Sequence, residues 1–200
     1  MSKYKSALLA VGLAFVTMMI ILAVTGGRQA KHLSDAVLRF HIVAASDSPQ
    51  DQALKLKVRD GIAELTDTLF RDASTKQQAI AVAEAHREDI AAAATAILRQ
   101  NGCDDAVAVT VDRSFFPTKR YENVTFPAGS YDAIHVDIGA AKGKNFWCVM
   151  FPSLCVPSVT KNNEELLGDV VGKPEIDLVT HPYSLRFKLV EWWQMLTHRR

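Results

Sequence analysis

The stretch Leu38 to Asp60, L-R-F-H-I-V-A-A-S-D-S-P-Q-D-Q-A-L-K-L-K-V-R-D, decides the fold. Its first part lies in a β-prone run over 36–45 (AVLRFHIVAA), where Val37, Phe40, Ile42 and Val43 predict a strand. Ser46-Asp47-Ser48-Pro49-Gln50-Asp51 then opens a helix. Ser48 offers an N-cap oxygen, Pro49 suits the first helical position, and Asp51 sets its charge against the positive end of the helix dipole. Leu54, Val58, Ile62, Leu65 and Leu69 follow at spacings of four, four, three and four, which makes one apolar stripe. Lys55, Lys57, Arg59 and Asp60 fall on the other faces of that helix.

Downstream, a second helix is predicted from Ser74, with Gln77 completing an S-x-x-Q capping box and Ala83, Ile90, Ala94 and Ile97 as its buried side. Asn101-Gly102 ends it, since glycine accepts the left-handed backbone that follows a helix. The period then changes to two. Val107, Val109 and Val111 alternate with smaller or polar residues, and Ile134, Val136 and Ile138 alternate with Ala133, His135 and Asp137. Between these strands, Phe115 to Tyr121 and Phe126 to Gly129 read as a structured loop. Phe146 to Phe151 (FWCVMF) is apolar throughout, as in a central strand buried on both faces. Three strands in succession without helices predict an antiparallel meander. Residues 156–182, rich in Gly, Pro and Asn, read as an irregular excursion. Leu185 to Leu196 predicts a terminal strand or helix on the same sheet. The expected class is therefore α+β: one N-terminal strand, two helices, a three-strand meander and a C-terminal element.

Upstream, Lys3 and Lys5 precede Ala7 to Val24 (ALLAVGLAFVTMMIILAV), 18 residues whose single polar member is Thr17. At ~1.5 Å per residue this helix is about 27 Å long, close to the hydrocarbon core of a bilayer. The flanking lysines keep its start in the cytoplasm and send the rest across. Residues 1–27 are thus expected to be a signal peptide or membrane anchor, and residues 28–200 an exported domain. Without Lys3 and Lys5 the 23 basic residues fall to 21 against 22 acidic ones, a nearly neutral domain with no electrostatic footprint for nucleic acid.

The chemistry-bearing motifs are sparse. Cys103, Cys148 and Cys155 form no C-x-x-C pair, which disfavours zinc and thioredoxin-type sites; no metal or cofactor is expected. A disulfide between Cys148 and Cys155 is favoured over two buried thiols, given export and the turn that Pro152 allows, with Cys103 left as a free thiol. An extracytoplasmic hydrolase would draw on His41, Asp47 and Asp51, or on His135 and Asp137, which are two apart on a strand and so share a face. No G-x-S-x-G elbow, H-E-x-x-H pair or glycine-rich phosphate loop accompanies them, and Asp47 and Asp51 are accounted for by capping.

Four collinear blocks carry a resemblance: Leu38 to Asp60, F-P-T-K-R-Y at Phe116 to Tyr121, F-P-A-G-S-Y at Phe126 to Tyr131, and N-F-W-C-V-M-F-P-S-L-C at Asn145 to Cys155. With the N-terminal apolar segment and the closing F-K-L-V-E-W, they resemble the stage II sporulation protein R family of endospore-forming bacteria. The chain departs from the family pattern at Ala45, where A-N-S-D is usual, and at Phe146 and Ser153, where W-W-C and F-P-P-L-C are usual. The resemblance implies a secreted signal and not an enzyme. Such proteins are made in the forespore, are exported into the space between forespore and mother-cell membranes, and activate a membrane-embedded aspartic protease of the mother cell. That protease cleaves the inactive precursor of a sigma factor. A ligand of this kind acts through exposed residues that folding does not demand. Arg39, Asp51, Arg59, Lys119 and Tyr121 are expected to contribute to one partner-binding face, because strand-end loops on a rigid sheet commonly carry function and Arg and Tyr often anchor interfaces.

Overall fold

A computed structural model describes residues 2–121, 123–154 and 163–197. The apolar N-terminal run is the first part of α1 (Ser2–Ala36), a helix of 35 residues that continues past position 27. Its far end is amphipathic, with Ala30, Leu33 and Ser34 buried. β1 (Leu38–Val43) follows after a single residue and is buried along its length except at His41, which is partly exposed. α2 (Pro49–Leu69) starts where the sequence predicts: Ser48 is the N-cap, and its Oγ accepts the Asp51 amide at 3.1 Å. Leu54, Val58 and Ile62 of the apolar stripe are buried, and Leu65 and Leu69 pack against the same core.

The expected second helix is two helices, α3 (Lys76–Ala85) and α4 (Arg87–Gln100), broken at His86. The break lets Ala79 and Ala83 of one, and Ile90, Ala94 and Leu98 of the other, all reach the same core. The capping box is shifted by one residue. Thr75 is the N-cap, with its Oγ1 accepting the Gln78 amide at 3.3 Å, while Gln78 Oε1 accepts the Ser74 amide at 2.7 Å. Gly102 has a φ of +75°, as the predicted stop requires.

β2 (Val107–Phe116), the short pair β3 (Lys119–Tyr121) and β4 (Val124–Phe126), β5 (Gly129–Ile138) and β6 (Asn145–Phe151) complete the strands. They do not form a meander. The main sheet has the order β2-β5-β1-β6, with β1 parallel to β5 and antiparallel to β6. β1 therefore lies between two strands that the sequence places next to each other. Its run of apolar residues is buried on both faces, which suits a central position, whereas β6 takes an edge. β3 and β4 form a separate two-stranded sheet where a loop was expected.

Two further corrections concern the carboxyl-terminal region. Within the expected excursion, α5 (Asn163–Gly168) and α6 (Lys173–Thr180) are helices that bury Leu167, Leu178 and Val179. Gly172 is the N-cap of α6 and Pro174 lies in its first turn, a helix start that proline tolerates. The closing element, α7 (Leu185–Thr197), is a helix and packs on α1 rather than on the sheet. Its buried residues Phe187 and Val190 are three apart, a helical and not a strand spacing.

The sheet divides the domain into two cores. On one face α2, α3 and α4 cover Leu38, Phe40, Ile42, Ile134, Val136 and Cys148. On the other, the end of α1, the β3–β4 pair, α5 and α6 cover Phe116, Tyr131, Ala133 and Val149. Lys76, almost fully buried, ties the layers together: its Nζ donates to Asp132 Oδ2 at 2.6 Å and to the Ser34 carbonyl at 3.1 Å.

Candidate functional site

Side chains alternate along a strand, so Arg39 and His41 of β1 both leave the helix-covered face and point to the second one. The register sets His41 beside His135 of β5 and beside Trp147 of β6. One end of this second face is roofed by the elements of the second core; at the other end a partly exposed cluster stays open. There the rings of His41 and Trp147 stack with centroids 3.9 Å apart and planes 9° from parallel. His41 Nδ1 faces His135 Nδ1 at 2.9 Å. The other nitrogen of His135, Nε2, lies 2.9 Å from Ser114 Oγ and 3.0 Å from Asp112 Oδ1.

Elementary valence assigns the protons. The Asp112 carboxylate only accepts, so His135 Nε2 carries the hydrogen. With that single hydrogen on the ring, His135 Nδ1 is the acceptor and His41 Nδ1 the donor of their 2.9 Å contact. His41 Nε2 is then the unprotonated nitrogen; it is buried and has no partner in hydrogen-bond geometry among the described residues, although the Asn145 side chain is near enough to raise the pKa of the ring. Burial is the main reason that His41 is held neutral, its pKa lowered to about 4, and the neighbouring His135 lowers it further.

Ser114, His135 and Asp112 bring the residue types of a nucleophilic triad together, but not its wiring. A relay needs the serine and the carboxylate on opposite ring nitrogens. Here both approach Nε2, and His41 occupies Nδ1. Asp137, expected to partner His135, lies exposed two residues further along β5, and the contacts of the His135 ring are to His41, Ser114 and Asp112 instead.

The five residues expected on one partner face separate into two groups. Arg39 is fully buried. Its Nε donates to the Cys148 carbonyl at 2.9 Å and its Nη2 to the Tyr121 hydroxyl at 2.7 Å. Around it stand the rings of Phe116, Phe126 and Tyr131, with centroids 4.6, 5.0 and 5.0 Å from Cζ. Nη1 has no hydrogen-bond partner among the described residues. Burial raises the pKa of the Tyr121 hydroxyl, while the Arg39 charge opposes that rise. Arg39 thus holds the second core together and does not present its guanidinium to solvent. Lys119 is near this group and places its Nζ 5.9 Å from the Trp147 ring centroid.

Asp51 and Arg59 belong to the opposite layer. The Asp51 carboxylate accepts from Ser46 Oγ at the start of α2. Arg59 pairs with Asp60 at 2.6 Å and lies 5.0 Å above the Phe146 ring. The sheet stands between this pair and the Arg39–Tyr121–Lys119 group. Cys148 is buried in β6, but Cys155 lies outside the described residues, and so does the expected disulfide; Cys103 is a free, partly exposed cysteine. Among the described residues, no group of three His, Cys, Asp or Glu could hold a metal ion.

Asp112, Ser114 and Trp147 were not anticipated. The signal was present in the continued alternation of Thr110, Asp112 and Ser114, which extends the strand to Phe116 and sends these polar side chains to one face.

A helix long and apolar enough to cross a membrane, leading into a mixed α+β domain, defines the class of protein. The family model of stage II sporulation protein R (spore_II_R) matches residues 34–161. Stage II sporulation protein R of Bacillus subtilis (strain 168) is 32% identical over 181 residues, covering 80% of this chain and 81% of that protein. The chain therefore belongs to the stage II sporulation protein R family, and its role is related to sporulation. No solved structure matches it.

Proposed function

We propose that this protein is an exported intercellular signal of endospore formation. From the space between forespore and mother-cell membranes it activates a membrane-embedded aspartic protease of the mother cell, which then cleaves an inactive sigma-factor precursor. The observation that carries this reading is family membership over residues 34–161. The apolar α1, which offers a signal peptide or anchor, supports it. The protein acts as a ligand, without a cofactor and without chemistry of its own; Asp51 and Arg59 on one side of the sheet, and Lys119 and Tyr121 on the other, offer two separate surfaces for protease contact, with Arg39 placing Tyr121.

Co-expression of the full chain with the candidate protease and the precursor tests this directly. Precursor cleavage that requires the chain is the expected result; equal cleavage without it overturns the proposal. Alanine at Arg59 and Lys119 should lower cleavage while secretion and the thermal midpoint stay near wild type.

A second reading, an extracytoplasmic cell-envelope hydrolase, draws on the contact of Ser114 and Asp112 with His135. Replacing His135 and Asp137 together by Asn, and Ser114 alone by Ala, separates the two readings. A hydrolase loses its function in both variants, whereas a signal keeps precursor cleavage wherever the variant remains folded.

A further inference from the structure

Outside α1, every exposed large apolar side chain among the described residues except Leu56 lies between Tyr183 and Leu196. Trp192 is 58% and Trp193 62% exposed, and Met195 and Leu196 are exposed beside them. All four sit on the second half of α7, after the two residues that anchor it. Their place relative to α1 gives this patch its meaning.

α7 runs antiparallel to α1. Arg186 Nη1 donates to Gln29 Oε1 at 3.3 Å, and Phe187 and Val190 share a small core with Ala30. Gly26 permits the close approach: a Cβ there would stand 2.8 Å from Arg186 Cγ and 2.9 Å from Val190 Cγ2. Further along, Trp192 and Trp193 line a groove of about 580 Å³ together with Ile20, Ala23 and Val24. Those three belong to the exposed, apolar, membrane-length part of α1. The exposed indoles are therefore level with the domain-side end of that apolar run. Arg28 and Lys31, both exposed and cationic, lie just beyond on the domain side, Lys31 being ion-paired with Asp35.

We infer that the second half of α7 is a membrane-interface element, in which Trp192, Trp193, Met195 and Leu196 enter the outer edge of the bilayer that α1 spans. Indole rings are favoured at that depth because one edge is apolar and the N–H can still reach polar headgroups. Burial of the four side chains in lipid also removes apolar surface that would otherwise face water. With α1 entering the bilayer and α7 seated on it, the domain is held in one orientation against the membrane. The inference rests on α1 being a retained anchor and is independent of whether the protein activates a protease.

The fluorescence of tryptophan tests it, since the chain has three tryptophans, Trp147, Trp192 and Trp193, and none is in α1. The full chain is reconstituted into vesicles of phosphatidylethanolamine and phosphatidylglycerol that carry phosphatidylcholine brominated either near the headgroup or deep in the chains. Flotation reports whether α1 holds the protein on the vesicle. The expected result is flotation with wild-type emission quenched about two-fold, more by shallow than by deep bromines. In W192F/W193F, which leaves Trp147 alone, the quenching should largely vanish while the chain still floats. Flotation without quenching overturns the inference, and a concentration-dependent but bromine-independent emission assigns the patch to a second copy of the chain instead. Failure to float removes the anchor on which the inference rests and overturns it as well, leaving protease activation to be judged by its own assay.

Discussion

The Nδ1 atoms of His41 and His135 face each other at 2.9 Å across the parallel β1–β5 pair, so a single proton serves both rings. A proton on His41 Nε2 would place an imidazolium charge in a half-buried site stacked against Trp147. Burial first, and the neighbouring His135 second, lower the pKa of His41 from 6.5 to about 4.

The sign of the pH dependence follows. The unfolded chain takes up a proton on His41 below about pH 6.5, whereas the folded chain resists until about pH 4. The contribution of this group to stability is complete above pH 6.5 and is lost as pH falls through that window. Thermal midpoints of the full chain in detergent, measured from pH 7.5 to pH 4, should decline more steeply for wild type than for His41→Asn. Parallel curves would show that His41 does not drive the decline.

Arg39 is a structural cation. Arg39→Ala removes both hydrogen bonds and empties an aromatic cage, and is expected to cost about 3 kcal/mol or more. Arg39→Met keeps most of the volume and removes a buried charge, so its cost should be clearly smaller. Tyr121→Phe leaves a second guanidinium nitrogen unpaired and should cost about 1–3 kcal/mol. Chemical denaturation of the three variants checks this order; an unchanged midpoint for Arg39→Ala would rule the role out.

α2 and α4 approach closely at Gly61, where a Cβ would stand 2.3 Å from Ile97 Cδ1. Gly61→Ala must push that terminal methyl aside while gaining about 1 kcal/mol of helix propensity, so its net cost should stay under about 1 kcal/mol. Ile97→Val deletes the clashing methyl, so the double variant should recover part of the loss. If Gly61→Ala alone gains the full helix propensity, and Ile97→Val adds nothing to it in the double variant, the Ile97 methyl does not limit the contact.

The Cys148–Cys155 disulfide is expected in secreted protein. A loop this short should contribute somewhat under ~3 kcal/mol in the chain-entropy treatment. Mass spectrometry of non-reduced, alkylated protein should find the two peptides linked. Two alkylated thiols at these positions would reject the bond.

The boundaries of α2 were legible because their causes are local: Ser48 caps, Pro49 lacks an amide hydrogen, and the apolar stripe recurs at helical spacing. The apolar half of α1 and the alternation in β2 and β5 were readable for the same reason. α3 and α4 read as one helix because propensity in an Ala-rich stretch does not reveal where burial demands a bend.

What the sequence by itself determined, then, is the set of elements whose signals lie within a few residues of one another, together with the family to which their order belongs. Tertiary structure decided which strands are neighbours and which side chains meet. β1 pairs with β5 although His41 and His135 are 94 positions apart, and no periodicity encodes such a partner. It also decided that α7 is a helix lying on α1, that Arg39 is enclosed by aromatic rings, and that Asp51 and Arg59 stand across the sheet from Lys119 and Tyr121. The physical reason is common to all of these. Burial and pairing reward contacts between segments distant in the chain, and their free energy exists only after the layers have packed.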